Sequence, residues 1–281
     1  YLLRNDAFLR AIASTGQPIV LGYVMMIAIG FFVSCAGVLP RKQKLFVGAA
    51  LAAGLVAAMS RGPWIACAAM LLVYIALGRT GGRSLVAAAA VTGAIGAVLA
   101  ATPQGRAVID YLPFVGGVEE GDVTYRQQVF EVSLQVLMDR PLLGAYDSLN
   151  DPRMEQLRQG EGIIDIVNTY VGVALATGFV GLSLFVAAFG LPMVALLGVG
   201  RKRQPSRAEP LNQQARALLA VLTGVLVTLG TVSSVTVIPH LYWILVGSAV
   251  AIGLAASSSA PRWARFAVPS RPHQDRSSGL T

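Results

Sequence analysis

The sequence predicts an all-α, polytopic helical membrane protein of about seven spans, with one large extracytoplasmic loop that carries an amphipathic helix. Three observations predict it. The 281 residues are 55% hydrophobic and only 13% charged, against about a quarter charged in ordinary soluble domains. Apolar runs long enough to enter a bilayer recur along the chain, and the basic residues are divided unequally among the segments between them. This composition excludes a disordered chain, a disulfide scaffold and an ordinary cytosolic enzyme. The formal charge of +8 would suggest nucleic acid in a soluble protein. Here the cations sit between apolar runs, so membrane topology accounts for them and no nucleic-acid partner is expected.

Taken in order, the apolar runs fall near 17–38, 45–59, 63–78, 84–101, 166–199, 217–232 and 237–256. The second and third are short for a full crossing and meet at Ser60-Arg61-Gly62-Pro63. The fifth is long enough to begin outside the bilayer. The expected organisation is therefore 1–101, four spans with the Ser-Arg-Gly turn; 102–165, the loop; 166–256, three spans; and 257–281, a basic, Ser/Arg/Pro-rich tail without fixed structure. Fourteen of the 22 basic residues, including every lysine, fall on the side of the tail, and 12 of the 14 acidic residues fall on the other. The positive-inside rule makes the tail cytoplasmic and turns residues 102–165 outward. Position 1 is Tyr, not Met, so the chain reads as a fragment of a longer one. Cys35 and Cys67 lack ligand spacing and read as small packing residues.

Every outward cation is thus an arginine, whose planar fork suits phosphate or carboxylate. Ser60-Arg61-Gly62-Pro63-Trp64 reads as a helix start, with Ser60 or Gly62 as cap, because Pro is tolerated where N–H groups are free anyway. Free amides beside Arg61 make an anion site; an arginine snorkelling to the interface is the other reading. Tyr125–Asp139 reads as an amphipathic helix stopped by Pro141-Leu142-Leu143-Gly144, with Gln127, Gln128, Glu131, Gln135 and Asp139 on one arc. Arg126 falls on the apolar arc, either as a site residue or as a frayed helix start.

Asp165, Asn168 and Thr169 fall at i, i+3 and i+4 at the outer mouth of the fifth span, a spacing that places them on one face as site residues; capping by Asp165 is the alternative. Gly178 and Gly181 read as small residues for close helix packing. His240, after Pro239, is the only histidine on the outward side; it is a candidate base or a neutral interfacial side chain. His273 lies in the tail.

In this order, these stretches resemble the O-antigen ligase and polysaccharide polymerase family of bacterial inner-membrane proteins. The match rests on Arg10 through Gln17-Pro18-Ile19-Val20-Leu21-Gly22, the Ser60-Arg61-Gly62 helix start, Arg126 through Pro141-Leu142-Leu143-Gly144, and Val167-Asn168-Thr169-Tyr170 with Gly178-Phe179-Val180-Gly181-Leu182. Members of that family have more spans, which implies that N-terminal ones precede this segment. The resemblance implies a glycosyltransferase of the bacterial inner membrane. It would use an undecaprenyl-diphosphate-linked oligosaccharide as donor and a glycan or lipid as acceptor on the periplasmic face. Arg61 and Arg126, with Arg10, would hold the diphosphate, and Ser60, Asn168 and Thr169 would support them. Inversion at the sugar is implied, with no metal and no cofactor. Ligases of the family carry His where this chain has Val167. The general base is then Asp165 or, second, His240, and the Val favours a polymerase-like member. Without the resemblance, outward arginines also suit a transporter or flippase of an anionic lipid-linked saccharide, or a non-catalytic subunit of an envelope assembly. A transporter predicts charged residues at mid-span, and the first four spans have almost none.

Overall fold

The computed structural model describes residues 2–4, 8–78, 120–158, 162–201, 209–234 and 237–258. The expected span at 84–101, the start of the loop and the basic tail lie outside the described residues. Apart from one short antiparallel hairpin, β1 (Leu2–Arg4) with β2 (Phe8–Arg10), the described regular structure is helical. The helices are α1 (Pro18–Cys35), α2 (Arg41–Ala57), α3 (Arg61–Ala76), α4 (Glu120–Asp139), α5 (Thr169–Arg201), α6 (Glu209–Leu229) and α7 (Ile238–Ser258). Short 3-10 turns at Ser148–Asn150 and Pro152–Leu157 follow α4.

Among the described residues, three segments are long and apolar enough to cross a membrane: Pro18–Val38, Thr169–Val199 and Ile238–Ala256. The other expected spans that are described also form helices, but without that combination of length and composition. Helix α2 opens on Arg41, Lys42 and Lys44, the 16-residue α3 is short, and α6 opens on Glu209, Gln213, Gln214 and Arg216. Of about seven expected spans, the described residues therefore meet the criterion at three.

Helix α6 is the hub. Ala215, Leu218, Val221, Leu222, Val225 and Leu229 are buried, and α1, α3, α5 and α7 all pack around it. Past its polar first turns, from Ala217 to Leu229, α6 is almost wholly apolar and buried or half-buried at every position, so this stretch goes to the centre. In lipid, helices gain little by hiding apolar surface from one another, so close van der Waals fit decides the pairing. Gly30 and Gly224 provide it: a β-carbon at Gly30 would lie 2.3 Å from Val221, and one at Gly224 would lie 2.8 Å from the Met26 sulfur. Phe185 and Phe189 of α5 stack against Tyr242 and Trp243 of α7 and close the other side.

A second, smaller core lies apart from the bundle. Val129, Val132, Val136 and Leu137 of α4 pack on Met154 and Leu157 of the 3-10 turns, and on Ala174 and Leu175 near the start of α5. Arg153 clasps its edge, pairing with Asp139 at the end of α4 and, at 2.8 Å, with Asp151. The hydrogen bonds from Arg153, first its side chain and then its backbone N–H, hold the Asp151 carboxyl down at about 2. The Asp151–Arg153 pair is therefore charged at neutral pH.

The two cores are joined by a break in α5. Gly178 has φ 67° and ψ −170°, so the helix is interrupted there. Pro141-Leu142-Leu143-Gly144 docks into the gap. Phe179 N–H donates to Pro141 O at 2.8 Å, Val180 N–H to Leu142 O at 3.2 Å, and Ala145 N–H to Leu175 O at 2.8 Å. The Phe179 and Val180 amides would otherwise bond one turn back within α5. A β-carbon at Gly178 would sit 2.2 Å from Leu142 O, and one at Gly144, where φ is 62°, would sit 2.5 Å from Gly178 N. The expectation that Gly178 serves helix packing is corrected: it lets the backbone break and admits another segment's main chain. Gly181 is crowded by Thr177 of its own helix, not by a neighbouring one.

Candidate functional site

Helix α3 starts where the sequence places it. Ser60 is buried and occupies the N-cap in an extended conformation, without a side-chain cap bond. Arg61 is the first helical residue and Pro63 the third, within the turn whose amides have no helical partners. Gly62 lies so close to the next element that a β-carbon there would meet Thr231 Oγ1 at 2.4 Å. Trp64 Nε1 donates to Leu55 O at 2.8 Å and ties the helix start back to α2. Arg61 Nε is buried and has no hydrogen-bond partner among the described residues. A buried guanidinium nitrogen left unpaired costs stability, which calls for an explanation at a site.

Arg126 approaches the same place from the other core. Helix α4 begins at Glu120, five residues before its expected start, so Arg126 stands in its second turn and is not a frayed end. Its Nη1 donates to Thr231 O at 3.4 Å, at the C-terminal end of α6, where the helix dipole favours a cation. Gly62 and Arg126, far apart in sequence, thus both touch Thr231. Arg10 comes to the neighbouring turn. Its Nε donates to Ala58 O at 3.4 Å, and the Ala11 N–H donates to Ala57 O at 3.0 Å, just ahead of Ser60.

The mouth of α5 differs from a helix running through 165–169. The helix begins at Thr169, and Asn168 is its cap: Oδ1 accepts from Tyr170 N at 2.9 Å and Val171 N at 3.3 Å. Val167, just before the cap, has φ 53°. That is a left-handed conformation that β-branched residues rarely adopt and that costs about 1–3 kcal/mol. Asp165 therefore precedes the helix, does not cap it, and does not share a helical face with Asn168 and Thr169. All three remain tied to one neighbourhood, because residues 165–169 lie along 231–233. Asp165 Oδ1 accepts from Val167 N at 3.1 Å and from the Ser233 hydroxyl. Thr169 Oγ1, buried, donates to Val232 O at 2.7 Å. Tyr125 OH donates to Asp165 O at 3.1 Å, so α4 also holds this segment.

A cleft of about 180 Å³ opens between these parts, lined by Arg126, Val129 and Phe130 of α4, Ile166 to Asn168, Val171 and Gly230. Arg126 and Asn168 share it, and Val167 forms part of its wall. The Asp165 carboxylate is turned to Ser233, beside the cleft. His240 stands in the first turn of α7, exposed and outside that lining, although α7 does pack beside α5.

Sequence reasoning did not single out Thr231, Ser233 or Tyr125. The signal available for the first two was a run of small polar residues, Thr231-Val232-Ser233-Ser234, directly after the most buried helix. Tyr125 offered none beyond its position one residue before Arg126.

The architecture is that of a helical membrane protein with an arginine-bearing polar site at one end of the bundle. The O-antigen ligase family matches residues 45–186, which is half of the chain, and the chain belongs to that family. The matched region contains the Ser60-Arg61-Gly62 turn, Arg126 and the Asn168 cap; Arg10, Thr231, Ser233 and His240 lie outside it. A comparison with curated proteins returned no match.

Proposed function

We propose that this protein is a membrane glycosyltransferase that transfers an undecaprenyl-diphosphate-linked glycan to a glycan or lipid acceptor, as an O-antigen or exopolysaccharide polymerase or ligase, on the extracytoplasmic face of the bacterial inner membrane. Arg61 and Arg126, with Arg10 behind the Ser-Arg-Gly turn, bind the diphosphate of the donor. The observation that carries this reading is the buried, unpartnered Arg61 Nε at a helix start that shares Thr231 with Arg126. A polyanion bound there receives guanidinium forks and the free amides of the first turn of α3. Ser60, Asn168 and Thr169 keep the two helix starts in place.

In the reaction the acceptor hydroxyl oxygen bonds to the anomeric carbon as the bond from that carbon to the diphosphate oxygen breaks. The diphosphate leaves with the electron pair, and attack from the opposite side inverts the sugar. Guanidinium groups stabilise the charge growing on the leaving oxygen without a proton transfer, and no metal is invoked in this scheme. The hydroxyl proton goes to Asp165. Ser233 and the Val167 amide both hold its Oδ1, which leaves Oδ2 to take the proton. His240 is the second choice, because it stands outside the cleft.

The test is replacement of each arginine by lysine, which keeps the charge and removes the fork. Arg61→Lys and Arg126→Lys are each expected to lower glycan transfer by about 10²-fold or more, the scale of losing one stabilising donor at a developing anion. Full activity of both variants at unchanged membrane levels would show that neither guanidinium holds the donor.

A further inference from the structure

The Pro141–Tyr146 turn and the edge of α4 leading to it carry large apolar side chains in the open. Phe130, Leu134 and Met138 follow one another at i, i+4 and i+8, and are exposed; Leu142 and Leu143 are 67% and 74% exposed, and Tyr146 is 96% exposed. The position of this surface relative to a bilayer can be read from α5. Between Thr169 and Thr177 none of the large apolar side chains is exposed, whereas from Phe179 onward Phe179, Val180, Leu184, Val186, Leu191 and Val194 all are. The helix changes from a packed segment to a lipid-facing one at the Gly178 break. From Phe179 to Val199 it rises about 31 Å at 1.5 Å per residue, which matches a hydrocarbon core of about 30 Å. The break therefore marks one edge of the hydrocarbon. The Pro141–Gly144 turn is hydrogen-bonded to the amides of Phe179 and Val180, and so stands at that same height.

We infer that this turn is a membrane-surface anchor: Leu142 and Leu143 enter the leaflet at the Gly178 end of α5, Tyr146 lies among the headgroups, and Met138 follows them at the edge of α4. The asymmetry of basic residues makes this the outer leaflet. The exposed apolar surface continues from that of α5 beyond the Gly178 break, and an exposed Tyr146 and an exposed Arg140 on the same segment suit the interface. Irregular backbone is costly near hydrocarbon unless its polar groups are bonded. Here the Pro141 and Leu142 carbonyls accept from α5, Pro has no N–H, and Gly144 N–H donates to Arg140 O at 2.9 Å. The anchor fixes the height of the small core, and with it that of Arg126, above the bilayer.

The experiment measures depth and does not depend on the proposed reaction. Nitroxide labels are placed on Leu142→Cys, Leu143→Cys and Gln135→Cys in the full chain, with Cys35 and Cys67 replaced by Ala, in phosphatidylethanolamine–phosphatidylglycerol vesicles. Power saturation then compares collision with oxygen, which concentrates in lipid, and with a water-soluble nickel chelate. The labels at 142 and 143 are expected to favour oxygen and the label at 135 to favour nickel. If one leucine variant does not assemble, the other carries the comparison. Labels at 142 and 143 that collide with nickel as readily as the one at 135 place the turn in water. Labels shielded from both reagents place protein over it. Either result overturns the anchor.

Discussion

Asp165 and His240 are two groups of different chemistry offered for one proton, and their surroundings separate them. The carboxylate of Asp165 is oriented by Ser233 and the Val167 amide beside the cleft, whereas His240 stands exposed in the first turn of α7. Asp165→Asn keeps the shape and removes the proposed base. It is expected to lower glycan transfer by about 10²–10⁴-fold, the usual range for general-base assistance, while leaving binding of the lipid-linked donor nearly intact. His240→Gln is expected to keep its activity. A fully active Asp165→Asn with a dead His240→Gln would move the base to His240, and two fully active variants would remove both from the chemistry. The arginines of the same neighbourhood were legible one by one: Arg61 from its helix-start motif, Arg126 from its place on an apolar arc. Thr231, which Arg126 shares with Gly62, was not, because a backbone carbonyl as acceptor and a missing β-carbon as contact leave no trace in a residue pattern.

At the scale of elements, the docking of Pro141–Gly144 into α5 gives a reason for both glycine-containing stretches, on 141–144 and on 178–182. Gly144 and Gly178 have positive φ, and each admits main-chain atoms of the other stretch where a side chain would stand. Gly178→Ala adds a β-carbon in a conformation that costs about 1–3 kcal/mol even without the clash. Since the clash is with backbone, the interlock itself should open. The expected outcome is a lower unfolding temperature in detergent, with faster amide exchange at Phe179, Val180 and Ala145. Gly172→Ala, where nothing lies within 4 Å of the added carbon, is the control and should change little. Unchanged exchange at those three amides in Gly178→Ala would mean that the turn is not held by the break. The start of α4 was legible to within five residues. The start of α5 was misplaced by three, because Val167 in a left-handed turn ahead of the Asn168 cap looks, by composition, like one more apolar residue of a span.

At the scale of the whole molecule, orientation determines whether the site meets lipid-linked glycan outside or metabolites inside. The motive for the outward assignment is the placement of 14 of the 22 basic residues on the side of the tail. A cysteine reporter introduced as Gln104→Cys in intact cells is expected to react with an impermeant maleimide, and one introduced as Ser258→Cys is expected to react only after the membrane is opened. The reverse pattern would overturn the orientation and the proposed donor with it. The same result bears on the membrane anchor only by naming its leaflet, since the depth of the turn follows from α5 alone.

What the sequence determined by itself is whatever depends on neighbours along the chain. Hydropathy over about twenty residues marks α1, α5 and α7 as long apolar helices; Pro63 after Ser60 marks the start of α3; the 3.6-residue period marks α4. Each is a local property, set by backbone hydrogen bonding within one segment and by the apolarity of its own side chains. Only the tertiary structure decided which segments meet: that α6 is the hub, that Asp165 turns to Ser233, that Gly62 and Arg126 converge on Thr231, and that a loop's backbone completes a spanning helix at Gly178. Those contacts join residues tens to more than a hundred positions apart, and those at Thr231 and Gly178 are made through main-chain atoms and absent β-carbons. Main-chain atoms are the same in every residue and a missing atom has no pattern, so such pairings exist only once the chain is folded.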